Sequence, residues 1–210
     1  MRSKVFCLIL LLFFSYVRSL AQENAYFHQT EVGFLWGKGI KNWDGNYLNR
    51  MDVSISTFHG VKISSHHVLG FAVGYDQYDQ ISLIPIALGW RGFLGKENKA
   101  QLFGGMDFGG GSTFLEKKET NQWSSSWYEG GMMIHPMLGV KLPAKKGNWA
   151  LSASLGYKRQ QLSYFQGFLD GSGQSSFAPT TGSRLPSGFT SLNETNYLFH
   201  SLVFRMGVMF

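Results

Sequence analysis

The sequence predicts an all-β chain: an eight-stranded antiparallel up-and-down transmembrane β-barrel behind a cleaved N-terminal signal peptide. Three observations carry this prediction. The composition is rich in glycine and aromatics, the first residues have the layout of an export leader, and eight segments alternate large apolar with small or polar residues. Successive side chains of a strand point to opposite faces, so such alternation sorts a chain into two surfaces.

Composition narrows the field first. Glycine accounts for 26 of 210 residues, against a usual share of about 7%. Aromatics make 16% and charged residues 15%, the reverse of a disordered chain, which is poor in aromatics and rich in charge. A helical bundle is disfavoured, because glycine costs about 1 kcal/mol per helix-interior site relative to alanine. A single cysteine excludes a disulfide scaffold.

Residues 1–21 read as the signal peptide. Arg2 and Lys4 form a basic start, Val5 to Val17 is the apolar stretch, and Ser19-Leu20-Ala21 supplies small residues for cleavage. The stretch is too short for a membrane helix, which needs about 20 apolar residues. Cys7 precedes most of the run, so it is not a lipid-bearing cysteine. Residues 22–210 then form one domain, with 16 basic residues against 13 acidic ones once Arg2, Lys4 and Arg18 are removed. The bases are scattered rather than clustered, which excludes nucleic acid as a partner.

The strands follow in order. In the first, Val32, Phe34 and Trp36 oppose Glu31, Gly33 and Gly37; in the second, Met51, Val53, Ile55 and Val61 oppose Asp52, Ser54, Ser56, Gly60 and Lys62. In the third, Leu69, Phe71, Val73 and Tyr75 oppose Gly70, Ala72, Gly74 and Asp76; in the fourth, Ile84, Ile86, Leu88 and Trp90 oppose Pro85, Ala87, Gly89 and Arg91. The fifth sets Leu102, Met106 and Phe108 against Gly105, Asp107 and Gly109, with Phe103 breaking the small face. The sixth sets Met132, Ile134, Leu138, Val140 and Leu142 against Met133, His135, Gly139 and Lys141. The seventh alternates most cleanly, Trp149, Leu151, Ala153, Leu155 and Tyr157 against Ala150, Ser152, Ser154, Gly156 and Lys158. The eighth repeats it, with Leu198, Leu202, Phe204, Met206, Val208 and Phe210 against Ser201, Val203, Arg205 and Gly207.

The small face identifies the architecture. Gly, Ala and Ser with about one charge per strand decorate a water-exposed surface poorly, but they suit the crowded interior of an eight-stranded barrel. The large apolar face then looks at lipid, and closure removes the sheet edges that hydrocarbon cannot satisfy. The long connectors, 38–50, 112–128 and 161–193, are all odd-numbered, and every even-numbered connector is short. Membrane barrels have short periplasmic turns and longer outer loops, so both mature termini fall in the periplasm. Aromatics sort into two girdles, with Trp36, Tyr75, Tyr78, Trp127, Tyr128, Tyr157, Tyr164 and Tyr197 near the long loops, and Trp90, Phe93, Trp149 and Phe210 near the short turns.

The leader, the eight segments, the Ile84-Pro85-Ile86-Ala87-Leu88-Gly89-Trp90-Arg91 strand and the terminal Phe210 together resemble the small outer-membrane β-barrel proteins of Gram-negative bacteria. The likeness is to the broad outer membrane protein beta-barrel domain group, similar in architecture to OmpA-, OmpX- and OmpW-type barrels, and it covers essentially all of residues 22–210. It implies that the alternating C-terminus Phe204, Met206, Val208 and Phe210 is an assembly signal, read by the outer-membrane assembly machinery. The group has no shared catalytic residues, so none is carried over.

The inward ionisable residues are Glu31, Asp52, Lys62, Asp76, Arg91, Asp107, Lys141, Lys158 and Arg205, and Glu31, Asp76, Arg91, Asp107, Lys141, Lys158 and Arg205 form the candidate charge network. Unpaired charge in a narrow interior is costly, so opposite signs should pair across the lumen, with Glu31–Arg205 and Asp107–Arg91 as the feasible cross-strand pairs. The outcome is a salt-bridged plug or a selective polar pathway, and the usual filling of eight-stranded interiors favours the plug. His28, His59, His66, His67, His135 and His200 show no metal or hydrolase spacing, and Gly109-Gly110-Gly111-Ser112-Thr113 lacks the lysine of a phosphate loop. The sequence therefore predicts a non-enzymatic, cofactor-free monomer of structural or surface-binding type. Its loops 38–50, 112–128 and 161–193 would meet an extracellular protein or small molecule, and outer-membrane lipid would surround its wall. A narrow passive pore, a lipid-modifying barrel enzyme built on His200 and Ser201, and a soluble lipocalin-like barrel remain the competing readings.

Overall fold

Alternation this regular has one backbone consequence, extended strands whose ladders must find partners on both edges. The computed structural model describes residues 25–41, 43–79, 81–96, 98–169 and 189–210. The signal peptide expected at residues 1–21 lies outside the described residues. Eight long strands form the wall: β1 (Tyr26–Lys41), β2 (Tyr47–Lys62), β3 (His67–Tyr78), β4 (Ile81–Leu94), β5 (Gln101–Ser112), β7 (Ser124–Pro143), β8 (Ala150–Leu169) and β9 (Phe189–Met209). A two-residue strand, β6 (Glu119–Thr120), pairs with the start of β7 inside the fifth connector.

Each wall strand pairs antiparallel with its sequence neighbour, β5 passing directly to β7. The ring closes through β1 and β9, from Gln29 opposite Met209 to Gly37 opposite Ser201. Phe210 and His28 exchange two backbone hydrogen bonds of 2.8 and 3.2 Å, so the two ends of the barrel chain meet at one rim. The opposite rim has a tight turn after Tyr78, where Asp79 adopts φ 57°, a left-handed conformation that aspartate tolerates.

The large and small faces assigned to the alternating segments are observed, with Lys62, expected inward, exposed at the rim. Val32, Phe34, Ile55, Phe71, Leu88, Phe108, Leu138, Leu155 and Phe204 are exposed on the outer wall, while Glu31, Ser54, Asp76, Arg91, Asp107, Ser154 and Arg205 are buried inside. Phe103, the exception on the small face, packs inward against Phe93 with ring centroids 5.8 Å apart. Phe93 and Tyr78 sit at the expected heights but are buried in the lumen, and Tyr128 and Tyr197 pack against its upper apolar cluster, so these four do not join the girdles.

The connectors are shorter than the sequence reading. Residues 38–41 and 47–50 belong to β1 and β2, 124–128 to β7, 161–169 to β8 and 189–193 to β9. The cause is that alternation fades where both faces meet water, although the ladder continues there, as Ser124 opposite Phe168 and Glu194 opposite Phe165 show. At about 3.3 Å per residue and a tilt near 40°, a twelve-residue strand rises about 30 Å and a twenty-residue one about 50 Å. With 20, 20 and 21 residues, β7, β8 and β9 therefore stand well above β3 and β5, which have 12 each.

Candidate functional site

The lumen is filled in three layers. At the short-turn end Phe27, Phe58, Val68, Phe93, Phe103 and Met209 form an apolar floor. At the other end Leu35, Tyr78, Leu83, Leu162, Phe199 and Val203 form an apolar ceiling, with Tyr128 and Tyr197 packed against it. The charged side chains lie between and beside these layers.

One charged unit is centred on Asp107. Arg91, on β4, meets it with two bonds, Nη1 to Oδ1 at 2.6 Å and Nη2 to Oδ2 at 3.1 Å. Arg91 Nε donates to Gln29 Oε1 at 3.2 Å, and its guanidinium lies 4.3 Å from the Phe58 ring centroid. His135, directly opposite Asp107 on β7, places Nδ1 3.5 Å from Oδ2. The register explains the fit, because Arg91 stands opposite Gly105 and Asp107 opposite Gly89, so each long side chain leans over a position that has none.

The second unit is centred on Asp76, which is completely buried. Asp76 forms an ion pair with Lys158, accepts a 2.6 Å bond from Ser54 Oγ, and has Arg205 Nη2 3.8 Å from Oδ1. Arg205 also donates to Ser54 Oγ from Nη2 and Nε, at 2.8 and 3.2 Å. This replaces the expected Glu31–Arg205 pair. Arg205 stands opposite Gly33, Gly33 opposite Ser54, and Ser54 opposite Asp76, so the guanidinium crosses bare backbone to reach β2 and β3. Glu31 lies opposite Gly207 instead, and its Oε1 accepts hydroxyl bonds from Ser152 at 3.2 Å and Ser154 at 3.0 Å.

Arg50 makes the mirror-image crossing. It stands opposite Gly37, which stands opposite Ser201, and its Nη2 donates to Ser201 Oγ at 2.5 Å. Arg50 also pairs with Asp52 and lies over the rings of Tyr78 and Phe199, 4.6 and 5.2 Å from their centroids. Sequence reasoning left Arg50 in a loop, but its place two residues before Asp52 continues the inward parity of that strand. Gly33 and Gly37 are thus the two points where arginines from opposite neighbours pass across β1.

The remaining charges lie at the short-turn end. Lys141 is half-buried with its ammonium 5.2 Å from the Phe93 ring centroid, and Lys62 is exposed at the rim. The polar layer leaves a cavity of about 10 Å³ lined by Ser56, Asp107, His135, Lys158 and Arg205, room for one water. His135 Nε2 is among the buried polar atoms without a hydrogen-bond partner.

Chemically, the Asp107 and Asp76 units and the Arg50–Asp52 pair neutralise and pin their members inside the lumen, whereas Lys62 and Lys141 line an open pocket at the short-turn end. The other histidines lie on the outer wall or its rim. His28 and His59 stack 4.7 Å apart beside Thr30 and Thr57, and His200 bonds to Tyr157 rather than to Ser201, which is buried on the opposite face. Of the residues expected to form an assembly signal, Phe204, Met206 and Phe210 are exposed on the outer face of β9 with Val208 half-buried beside them, and the Phe210 ring stacks on His28 at 5.9 Å.

No protein-family model matches the sequence, and no curated protein matches it. Solved structures do. The crystal structure of the outer membrane protein OprG from Pseudomonas aeruginosa is similar with a TM-score of 0.52 at 11% identity, over 88% of this chain and 93% of that one. The solid-state NMR structure of outer membrane protein AlkL in DMPC lipid bilayers is similar with a TM-score of 0.46 at 13% identity, over 89% of both chains. The chain has the fold of the small outer-membrane β-barrels.

Proposed function

We propose that the chain is an integral outer-membrane barrel with a closed lumen, which acts through its outer rim and wall rather than through a channel or a catalytic site. The observation that carries this reading is the pairing of two surfaces. Large apolar side chains are exposed around the outer wall, while the lumen is filled floor to ceiling, with Asp76 and Asp107 paired to lysine and arginine inside it. A soluble lipocalin-like barrel reverses that arrangement, since its apolar residues would line the interior around a ligand. A lipid-modifying enzyme would need His200 and Ser201 on one face, and they are on opposite faces.

In this reading the short-turn rim, with both ends of the barrel chain, faces the periplasm. The tall wall of β7, β8 and β9 and connectors 43–46 and 113–123 face outward as the contact surface for an extracellular protein or small molecule; the middle of the loop expected at 161–193 lies outside the described residues. The barrel is a monomer and needs no cofactor. Phe204, Met206, Val208 and Phe210 serve the assembly machinery. Fractionation of cells expressing the full chain tests the placement. The protein is expected with the outer membranes, migrating faster on gels before boiling than after. Recovery as a soluble periplasmic protein would contradict the reading.

A further inference from the structure

The outer wall is dented near the short-turn rim, across β4, β5 and β7. Trp90, Leu94, Leu102 and Leu138 point outward there, but the positions between them on β4 and β5 are Gly92 and Gly104, which stand directly opposite each other. The result is a groove of about 740 Å³, within the roughly 300–1,000 Å³ of small-molecule sites. At Gly92 the gap is taken by the Trp90 indole, which also stacks on His67 with centroids 5.7 Å apart. At Gly104 it is open: a methyl group there would meet only Leu138 Cδ2, at 3.6 Å.

The groove has two chemically different ends. Its body is Leu94, Leu102, Leu138 and the glycines. Its rim end is the turn Ser64, Ser65, His66 and His67. Ser64 Oγ accepts the backbone N–H groups of His66 at 3.3 Å and His67 at 3.1 Å, which leaves its own hydroxyl proton to donate. Ser65 Oγ and His66 Nδ1 lie 2.7 Å apart, so the hydroxyls and imidazole are gathered at one point.

We propose, resting on the membrane reading above, that this groove holds one phospholipid of the periplasmic leaflet, an acyl chain over Gly104 and the phosphate at the Ser64–His67 turn. Within hydrocarbon an acyl chain gains nothing from simple burial, so selection rests on packing and hydrogen bonds. The groove supplies these at opposite ends, in the order an amphiphile presents them. A second copy docked on the same face would press its apolar wall against the turn and leave the Ser64 hydroxyl proton, which has no acceptor among the described residues, buried without a partner, which is costly.

The test is native mass spectrometry of the barrel refolded in detergent, titrated with palmitoyl-oleoyl-phosphatidylethanolamine. The parent is expected to retain one phospholipid. Gly104→Phe fills the open end of the groove against only Leu138 and should weaken retention about tenfold. His66→Ala should weaken the phospholipid but not palmitic acid offered alone. Heat-modifiable migration confirms that each variant is folded, and Gly104→Leu replaces Gly104→Phe if the latter does not refold. Equal lipid retention by parent and folded variants overturns the proposal, as does a dimer in the parent that Gly104→Phe abolishes. Because the protein is refolded in detergent, these outcomes are independent of where the cell places it.

Discussion

Truncating Arg91 is the sharpest probe of the filled lumen. Arg91→Ala removes two charge-assisted bonds to Asp107, a third bond to Gln29 and the contact with the Phe58 ring. Asp107 would keep only His135, at 3.5 Å. Both members of the pair are almost completely buried, so solvent does not screen the loss. Breaking a buried pair from one side costs about 3–5 kcal/mol, in line with two bonds to a charged group at roughly 1.5–3 kcal/mol each. Asp107→Ala should cost about the same, since it strands the guanidinium. The double variant strands neither charge and should lose about as much as either single variant, a coupling of about 3–5 kcal/mol. Equilibrium urea unfolding in phospholipid vesicles, followed by tryptophan fluorescence, measures all four corners of the cycle. A cost below about 1 kcal/mol for Arg91→Ala, the range of solvated surface pairs, would refute the reasoning by showing that the pair is hydrated.

Other perturbations read other parts of the structure. Leu155, 58% exposed on the outer wall, should cost about 2–4 kcal/mol as Leu155→Arg in the same vesicles, whereas a neutral result would place that face in water. Gly33→Ala would drive a methyl group into the Phe204 backbone oxygen and to 2.6 Å from Arg205 Cα, so the paired backbones of β1 and β9 must part and the variant should destabilise by at least about 1–3 kcal/mol, while Gly104→Ala, into open space, should be neutral or slightly stabilising. Ser152→Ala with Ser154→Ala removes both hydroxyls that hold Glu31, and should cost about 1.5–3 kcal/mol per bond in the same unfolding assay.

Much of this arrangement was legible in the residues themselves. Period-2 alternation distinguished the faces of Leu155 and Ser154, and of Trp90 and Arg91, because one face meets apolar surroundings and the other a crowded lumen. The Arg91–Asp107 pair followed from parity and from the adjacency of β4 and β5. What alternation could not supply was register. Whether Arg205 meets Glu31 or passes over Gly33 to Asp76 depends on a two-residue difference in height across β1 and β9, which no single strand encodes. Arg50 was missed for a related reason. Near the outer rim the inward and outward sides become alike, so the pattern that would have extended β2 back to Tyr47 fades. The groove over Gly104 was hidden as well, because two glycines on neighbouring strands form a dent only once pairing brings them opposite each other.

Planar-bilayer recording of the purified parent barrel tests the central claim of a closed lumen most directly. Floor, charged layer and ceiling together predict negligible conductance at either polarity, with the bilayer remaining at its protein-free baseline. A steady, ion-selective current from the parent, with its selectivity altered by Arg91→Ala at little cost in stability, would contradict the account and make the charged layer the lining of a pore.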